Sequence, residues 1–361
     1  MIAAIPFITV LLCTYNDEAF IAETIQSILG QTYKNFEFII LNDGSTDGTN
    51  NIIHSFVDER IKYLEHSENK GLEEAKNWGL DEAKGKYIAY IDGDDISEPD
   101  RLRVQMDYME AHPETGICST RKVLFGLVNK PLAHVEHDLE LRMRALFGTP
   151  MEHPSCMIRT EVLRKHNIKY RKNFPVAEDY PFMIDLMEIT QAHCIQIPLI
   201  RKRIHDQRVS VLKKEIQNES AARASQLAFK VLLGIEGGVE ERFAIKRCFV
   251  SKSNIEDLTA LGNIRSKITL NGQLSSRDIA FRQYILDHIS KSIFKIHSQL
   301  KRYQSIPEEI KTTTKEYNKE FVKQKVLKNE NDALHKSLSW KITAPLRTIV
   351  GVLLNIIKKR Q

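Results

Sequence analysis

Three things are missing from this 361-residue chain. No Gly-rich loop follows its first apolar run, no Cys-x-x-Cys pair occurs, and no uninterrupted stretch reaches the ~20 apolar residues of a membrane-spanning helix. The first absence removes support for a dinucleotide-binding fingerprint or a phosphate-cradling P-loop. The cysteines, Cys13, Cys118, Cys156, Cys194 and Cys248, are scattered and odd in number. That pattern opposes both a structural zinc site and a disulfide framework, and it fits a reducing compartment. The apolar start has neither a basic n-region nor a cleavage-like site, so no signal peptide is expected. No internal repeat or low-complexity tract is present. Basic residues near the carboxyl terminus accompany an aliphatic stripe rather than stacking aromatics, which opposes nucleic-acid binding.

What is present is a regular alternation of strand and helix patterns over residues 1–95. Phe7–Leu12 is a continuous apolar run ending in Cys13-Thr14-Tyr15-Asn16. A helix is expected next, with Asn16 as cap, Asp17 and Glu18 in its first turn, and Ile21, Ile25, Ile28 and Leu29 on one face. Phe36–Leu41 is the second strand and ends in Asn42-Asp43-Gly44-Ser45-Thr46-Asp47-Gly48. Ile52, Ile53, Phe56 and Val57 mark a second helix, Ile61–Leu64 a short strand, and Leu72, Ala75, Gly79, Leu80 and Ala83 a third helix. Tyr87–Ile91 is the next strand, followed by Asp92-Gly93-Asp94-Asp95. Alternation of this kind implies parallel strands joined by right-handed crossovers, and the loops at their carboxyl ends converge on one crevice. Three acids that close repel one another unless a cation joins them. A divalent ion carrying a diphosphate answers that need, because Mg2+ is usually shared between one or two carboxylates and phosphates. The plain alternative is an acidic turn ahead of a helix that Pro99 would start.

These residues resemble the family 2 glycosyltransferases, which have a GT-A fold. The resemblance covers residues 5–210. It rests on Thr14-Tyr15-Asn16, Asn42-Asp43-Gly44-Ser45-Thr46-Asp47, Asn69-Lys70-Gly71 with Ala75-Lys76-Asn77, and Gly85-Lys86-Tyr87 leading into Asp92-Gly93-Asp94-Asp95. It continues through His153-Pro154-Ser155, Glu178-Asp179-Tyr180 and Arg203-Ile204-His205. Each motif is weak alone; their order is the signal. The resemblance implies that Thr14, Tyr15 and Asn16 meet the nucleotide, with Tyr15 stacked on the base, and that Asp43 accepts from the ring N–H of uracil. An Asx-turn before Gly44 is a compatible second role for Asp43. It further implies that Asp92 reaches the ribose, that Asp94 binds Mn2+ or Mg2+, and that Asp95 supports the site or contacts the acceptor sugar. Lys76 stands where many relatives have Arg; it can meet a phosphate as a point charge but without a bidentate fork.

Glu178 and Asp179 precede an apolar helical pattern, so they fall at a helix amino end, where acids also match the helix dipole. Displacement at an anomeric carbon needs a base for the acceptor hydroxyl, and the resemblance assigns that role to Asp179, with Glu178 orienting helix or acceptor. It places His205 near the diphosphate or metal and His153 near the acceptor.

Beyond residue 211 the strand signals fade. Lys213–Gly234, Glu240–Val250 and Ser275–Arg302 are expected helices, with 261–272 as a connection. Residues 307–338 suggest a long helix or coiled coil, or a dimer contact through C-terminal helices. Residues 311–361 carry twelve Lys or Arg and four Asp or Glu, a balance of +8, whereas the whole chain is +5 and residues 1–310 are therefore at −3. Within that tail, Trp340 and the aliphatic residues 349–357 lead into Lys358-Lys359-Arg360. Pro345 and Arg347 interrupt the stripe, which fits an interfacial helix on anionic lipid better than a span; a helix docked on protein is the alternative. The Ser339–Arg347 string also resembles a tail of bacterial cell-surface polysaccharide glycosyltransferases.

The expected architecture is thus α/β: a GT-A-type, mostly parallel sheet flanked by helices (1–210), a helical extension (211–306), a long helical segment (307–338) and an amphipathic tail (339–361). The expected activity is inverting, metal-dependent transfer of a hexosyl or N-acetylhexosaminyl group. The donor is a nucleotide-diphosphate sugar, most simply UDP-linked. The acceptor is a hydroxyl on a glycan or lipid-linked molecule at the inner face of the plasma membrane. Two rivals remain open: a non-catalytic nucleotide- or membrane-binding scaffold of the same fold, and a sugar nucleotidyltransferase, for which the Gly-rich first loop is missing.

Overall fold

A computed structural model describes residues 7–300 apart from 133, 207, 255 and 269–273. The expected segments 307–338 and 339–361 lie outside the described residues. Two compact units divide between Leu227 and Ala228.

The first unit is built on one nine-stranded sheet. Its opening half runs β1 (Ile8–Thr14), α1 (Ile21–Leu29), β2 (Phe36–Asn42), α2 (Thr49–His54), β3 (Ile61–Glu65), α3 (Leu72–Glu82) and β4 (Tyr87–Asp92). Strands β1, β2 and β4 are almost wholly buried, which is why each reads as a continuous apolar run rather than an alternating one. They pair parallel, with Thr14 opposite Asn42 and Cys13 opposite Asp92. Their carboxyl ends are therefore level, and the loops that follow them open at one edge.

The second half follows as β5 (Ile96–Ser97), α4 (Arg101–Ala111), β6 (Thr115–Gly126), β7 (Lys130–Pro131), α5 (Asp138–Ala145), β8 (Met157–Arg159), α6 (Thr160–His166), α7 (Asp179–Ile189) and β9 (Gln191–Ile204). The strand order is β3-β2-β1-β4-β8-β6-β9-β5, with β7 beside β6. Most of the ladder is parallel. Antiparallel β8 joins β4 to β6, so the sheet changes direction beside the acidic strand. The long parallel β6–β9 pairing is irregular at three places between Thr115 and Lys122. A core of Ile8, Val10, Leu12, Ile21, Ile25, Ile28, Phe38, Ile40, Tyr87 and Ile91 holds α1 to the sheet. Full burial of each such aliphatic side chain contributes about 1.5–3 kcal/mol.

The expected cap at Asn16 does not form. Asn16 adopts a left-handed backbone (φ 57°), and its Oδ1 accepts the Thr46 N–H at 2.8 Å. Tied to the loop after β2, it cannot start a helix, and α1 begins only at Ile21. Asp17 and Glu18 accordingly fall outside the first helical turn.

The first unit closes with α8 (Val209–Leu212) and most of α9 (Lys214–Ala228). The second unit contains a π-helical turn at Phe229–Leu233, α10 (Val239–Phe249), α11 (Asp257–Lys267) and α12 (Ser276–Leu300). Helix α11 corrects the expected connection at 261–272 over residues 261–267; positions 269–272 lie outside the described residues. Its Gly262 meets nothing a side chain would displace, and Leu258, Leu261 and Ile264 supply a buried helical face that outweighs one glycine. Among the described residues no helix is long and apolar enough to cross a membrane.

Candidate active site

The loops after β1, β2 and β4 and the amino end of α7 bring the polar residues together. The loop after β1 is a scaffold. The Thr14 hydroxyl donates to Asp17 Oδ2 at 2.6 Å, the Asn16 N–H donates to Ser45 Oγ at 3.0 Å, and the Asp17 N–H donates to Thr49 Oγ1 at 2.8 Å. Thr14 and Asn16 thus shape the loop with their side chains. Tyr15 is left 42 % exposed, with its ring available.

Asp43 is buried. Its carboxylate meets His66 Nδ1 at 2.7 Å and accepts the N–H groups of Lys70 at 3.0 Å and Gly71 at 2.9 Å. It pins the 66–71 segment beneath the crevice. A carboxylate has about four acceptor positions, so these three partners do not exhaust it. Gly44 has φ 71°, and a Cβ there would come within 2.4 Å of the Glu68 backbone.

The acids after β4 sit in three different environments. The carboxylate oxygens of Asp92, Asp94 and Asp95 lie within 4.8 Å of one another. Asp92 is half-buried at the strand end. Burial pushes its pKa up, Lys202 and Lys76 oppose that rise, and Asp94 adds to it. Asp94 Oδ2 meets His205 Nε2 at 2.9 Å, and the His205 ring packs on Phe20 with centroids 4.5 Å apart. Asp95 has no exposed surface; burial, aided by Asp94 and Asp92, pushes it up to about 8. One Asp95 oxygen accepts the Arg203 N–H at 3.0 Å. The other is buried without a partner among the described residues. Contact with an acceptor needs an accessible carboxylate, so of its two expected roles only the supporting one agrees with this burial.

This donor set suits a hard divalent cation. It offers clustered carboxylate oxygens with an imidazole beside them, and the buried His205 Nδ1 and Asp95 Oδ2 have no partners among the described residues.

Glu178 and Asp179 stand side by side with different surroundings. Glu178 is buried and ion-paired to the buried Lys76, Nζ to Oε1 2.6 Å. Burial opposes the lysine charge, but Glu178, Asp92 and Asp179 outweigh it and raise the Lys76 pKa. Asp179, half-buried at the start of α7, is pushed up to about 6 by burial and by Glu178, with Lys76 and Lys202 acting against the rise. A carboxyl poised near 6 is suited to taking a proton at neutral pH.

His153 does not line an open surface. It is buried, with Nε2 2.7 Å from the Tyr170 hydroxyl and its ring against Tyr90 and Phe182. Burial, reinforced by Lys76 and Lys202, holds its pKa well below the usual histidine value. Its expected acceptor-side position is filled by a neutral histidine inside an aromatic cluster.

Two contributors escaped the sequence reading. Asp17, expected as a helix-start residue, lies beside the acids: burial, opposed by the Thr14 hydroxyl and reinforced by Asp94, pushes it up to about 6. A Cβ on Gly93 would fall 2.3 Å from Asp17 Oδ2, so glycine is what admits Asp17 there. Lys202, read only as part of a basic run, is ion-paired with Glu152, which also binds Lys122. Burial and the adjacent Lys202 lower Lys122 to about 7. No local pattern links positions 122, 152 and 202; the β6–β9 ladder brings Lys122 and Lys202 together, and the turn at His153–Ser155 delivers Glu152 to both.

Comparison with known proteins agrees with this geometry. The sequence model described as Glycosyl transferase family 2 matches residues 9–166. An uncharacterized glycosyltransferase of Haemophilus influenzae is 32 % identical over 235 residues, covering 60 % of this chain and 72 % of the relative. The putative glycosyltransferase EpsE of Bacillus subtilis is 36 % identical over 162 residues, 44 % of this chain and 58 % of EpsE. Among solved structures, S. aureus TarS 1-349 in complex with UDP-GlcNAc aligns with a TM-score of 0.55 at 16 % identity, covering 83 % of this chain and 93 % of that one. That last likeness is one of fold.

Proposed function

From membership of this chain in glycosyl transferase family 2, we propose that it transfers one sugar, with inversion, from a UDP-linked donor to a hydroxyl of a glycan or lipid-linked acceptor. The observation that carries the reading is the pairing of a half-buried Asp179, poised near 6, with the Asp92–Asp94 carboxylates across the same crevice.

Tyr15 stacks on the base and a free Asp43 lone pair accepts the uracil N–H. Asp92 reaches the ribose, while Asp94 with His205 would hold Mn2+ or Mg2+. When bound, that cation neutralises charge on the diphosphate leaving group. Asp179 takes the proton from the acceptor hydroxyl. The hydroxyl oxygen bonds to the anomeric carbon as the bond to the diphosphate oxygen breaks, and attack from the opposite face inverts the centre. Lys76 acts through its ion pair with Glu178 rather than as a free phosphate contact, holding that side chain in place beside Asp179. Polysaccharide synthesis at an anionic membrane surface, with residues 339–361 as the attachment and the C-terminal helices as a dimer contact, completes the proposal.

Calorimetric titration with UDP, CDP and GDP, each with Mn2+ and with a chelator, tests the donor site. Binding of UDP alone, lost with chelator, is the expected result. Equal binding of all three nucleotides would remove the base assignment, and binding indifferent to chelator would remove the metal.

A further inference from the structure

At the other end of β9, away from the acidic crevice, a second group of ligating side chains converges. We propose that Glu136, His137 and His193 form a binding site for a borderline transition ion such as Zn2+. Their donor atoms lie within 4.8 Å of one another. His193 Nε2 is 3.9 Å from Glu136 Oε1, and His137 Nε2 is 4.0 Å from Glu136 Oε2. A tetrahedral ion at about 2.0–2.1 Å from each donor holds donors roughly 3.3–3.4 Å apart. Each imidazole lies about half an ångström beyond that spacing from its nearer Glu136 oxygen, and the three donors, all within 4.8 Å, need to close by at most about 1.5 Å, within the reach of side-chain rotation.

The site is built before any ion arrives. The Cys194 N–H donates to the Glu136 carbonyl at 2.9 Å, and the Ala192 N–H donates to Asp138 Oδ1 at 2.9 Å. These two bonds straddle His193 and fix residues 136–138 against β9. The Glu140 carboxylate accepts the N–H groups of Glu136 and His137 at 3.3 and 3.4 Å, which holds both ligand backbones. Tyr108 stacks on His193 at 4.5 Å with 14° between planes and sets the ring orientation. Burial, with His137 and His112 nearby and Glu136 opposing, keeps the His193 pKa below its usual value, so the imidazole is neutral and free to coordinate at pH 7. Two imidazoles and one carboxylate suit Zn2+ better than Mg2+, which takes oxygen. The scattered cysteines oppose a zinc site made of cysteine; they do not bear on one made of histidine and glutamate. An ion here would clamp the segment before α5 to the first turns of β9.

The test is a Zn2+ titration of the full chain by calorimetry in excess Mg2+, so that the Asp92–Asp94 carboxylates face the harder ion. Co2+ absorption is a second readout, since a four-coordinate site gives an intense visible band. His137→Ala and Glu136→Gln alter exposed or half-exposed side chains and leave the core untouched. One Zn2+ per chain is expected in the wild type and in Asp94→Asn. Loss of an outer hydrogen-bond partner alone costs about 10–100-fold in metal affinity, so each ligand variant is expected to weaken Zn2+ by at least about 100-fold and to lose the Co2+ band. Undiminished Zn2+ binding in His137→Ala and Glu136→Gln, or complete loss in Asp94→Asn, overturns the site.

Discussion

The two halves of the sheet are made differently. From β1 to β4 the chain repeats one unit, strand then helix, and three pairs of neighbouring strands run parallel without a register shift. From β6 to β9 the ladder is bulged, direction reverses through β8, and the side chains that matter are charges drawn from distant positions. The regular half delivers its groups by ending strands level with one another, so backbone geometry alone gathers Asp43, Asp92 and Asp94. The irregular half sets the charge state of its groups with help from across the sheet, as its own Glu178 and Lys202, joined by Lys76 from α3, do for Asp179. On the proposed function, the first half would position the donor and the second would tune the base.

The sharpest way to separate these tasks is Asp179→Asn. Loss of a positioned base costs about 10^2–10^4 in rate, while the groups that hold the donor remain, so UDP affinity is expected to stay within about twofold. The wild-type pH profile of kcat/KM checks the same residue. As the proposed base, Asp179 would work deprotonated, and its pKa is pushed up to about 6, so activity should fall about tenfold per pH unit below 6, and the residual activity of Asp179→Asn should lack that limb. A variant that loses UDP binding along with transfer would show that the halves are not separable.

The same contrast decides what could be read from the sequence. Strands β1, β2 and β4 were legible because burial on both faces leaves an uninterrupted apolar run, and their loops followed from parallel topology. Asp43, Asp92 and Asp94 could be nominated from motifs at those ends, and Asp179 from the motif at the amino end of α7. Asp17 could not, because its place depends on Asn16 turning left-handed and on the missing side chain of Gly93. The charges around Asp179 were equally hidden: Lys76 looked like a phosphate contact until its Nζ was found against Glu178. His153 looked polar and accessible by type, yet Tyr90, Tyr170 and Phe182 enclose it. Local periodicity reports which face of an element is buried; it carries no information about which distant charge lies across a ladder.

Helix α3 is where the halves are strapped together. Asn77 exchanges two hydrogen bonds with the Tyr170 backbone, at 2.9 and 2.8 Å, and three ion pairs, Glu74–Lys172, Lys76–Glu178 and Asp81–Lys169, flank them. Lys76–Glu178 is buried, with side chains 9 % and 6 % exposed. Glu178→Gln leaves the lysine charge in place without its closest partner. Breaking a buried pair costs about 3–5 kcal/mol, and the nearby Asp92 and Asp179 place the expected loss at the lower end of that range. Urea unfolding measures it. Replacing both residues together, as Lys76→Met with Glu178→Met, should recover much of the loss, because no unpaired charge then remains buried.

One turn further along α3, Asp81 reaches Lys169 at 2.7 Å, nearly as short as the 2.6 Å of the buried pair. Geometry alone would rank the two alike. Solvent ranks them apart: these side chains are 58 % and 44 % exposed, so water and salt screen the attraction, and the entropy of holding two long side chains offsets what remains. Asp81→Asn is expected to change unfolding free energy by less than about 1 kcal/mol, with the difference vanishing as ionic strength rises. A salt-insensitive loss comparable to that of Glu178→Gln would mean that the outer face of α3, and not its buried lysine, is what holds the donor half to the base.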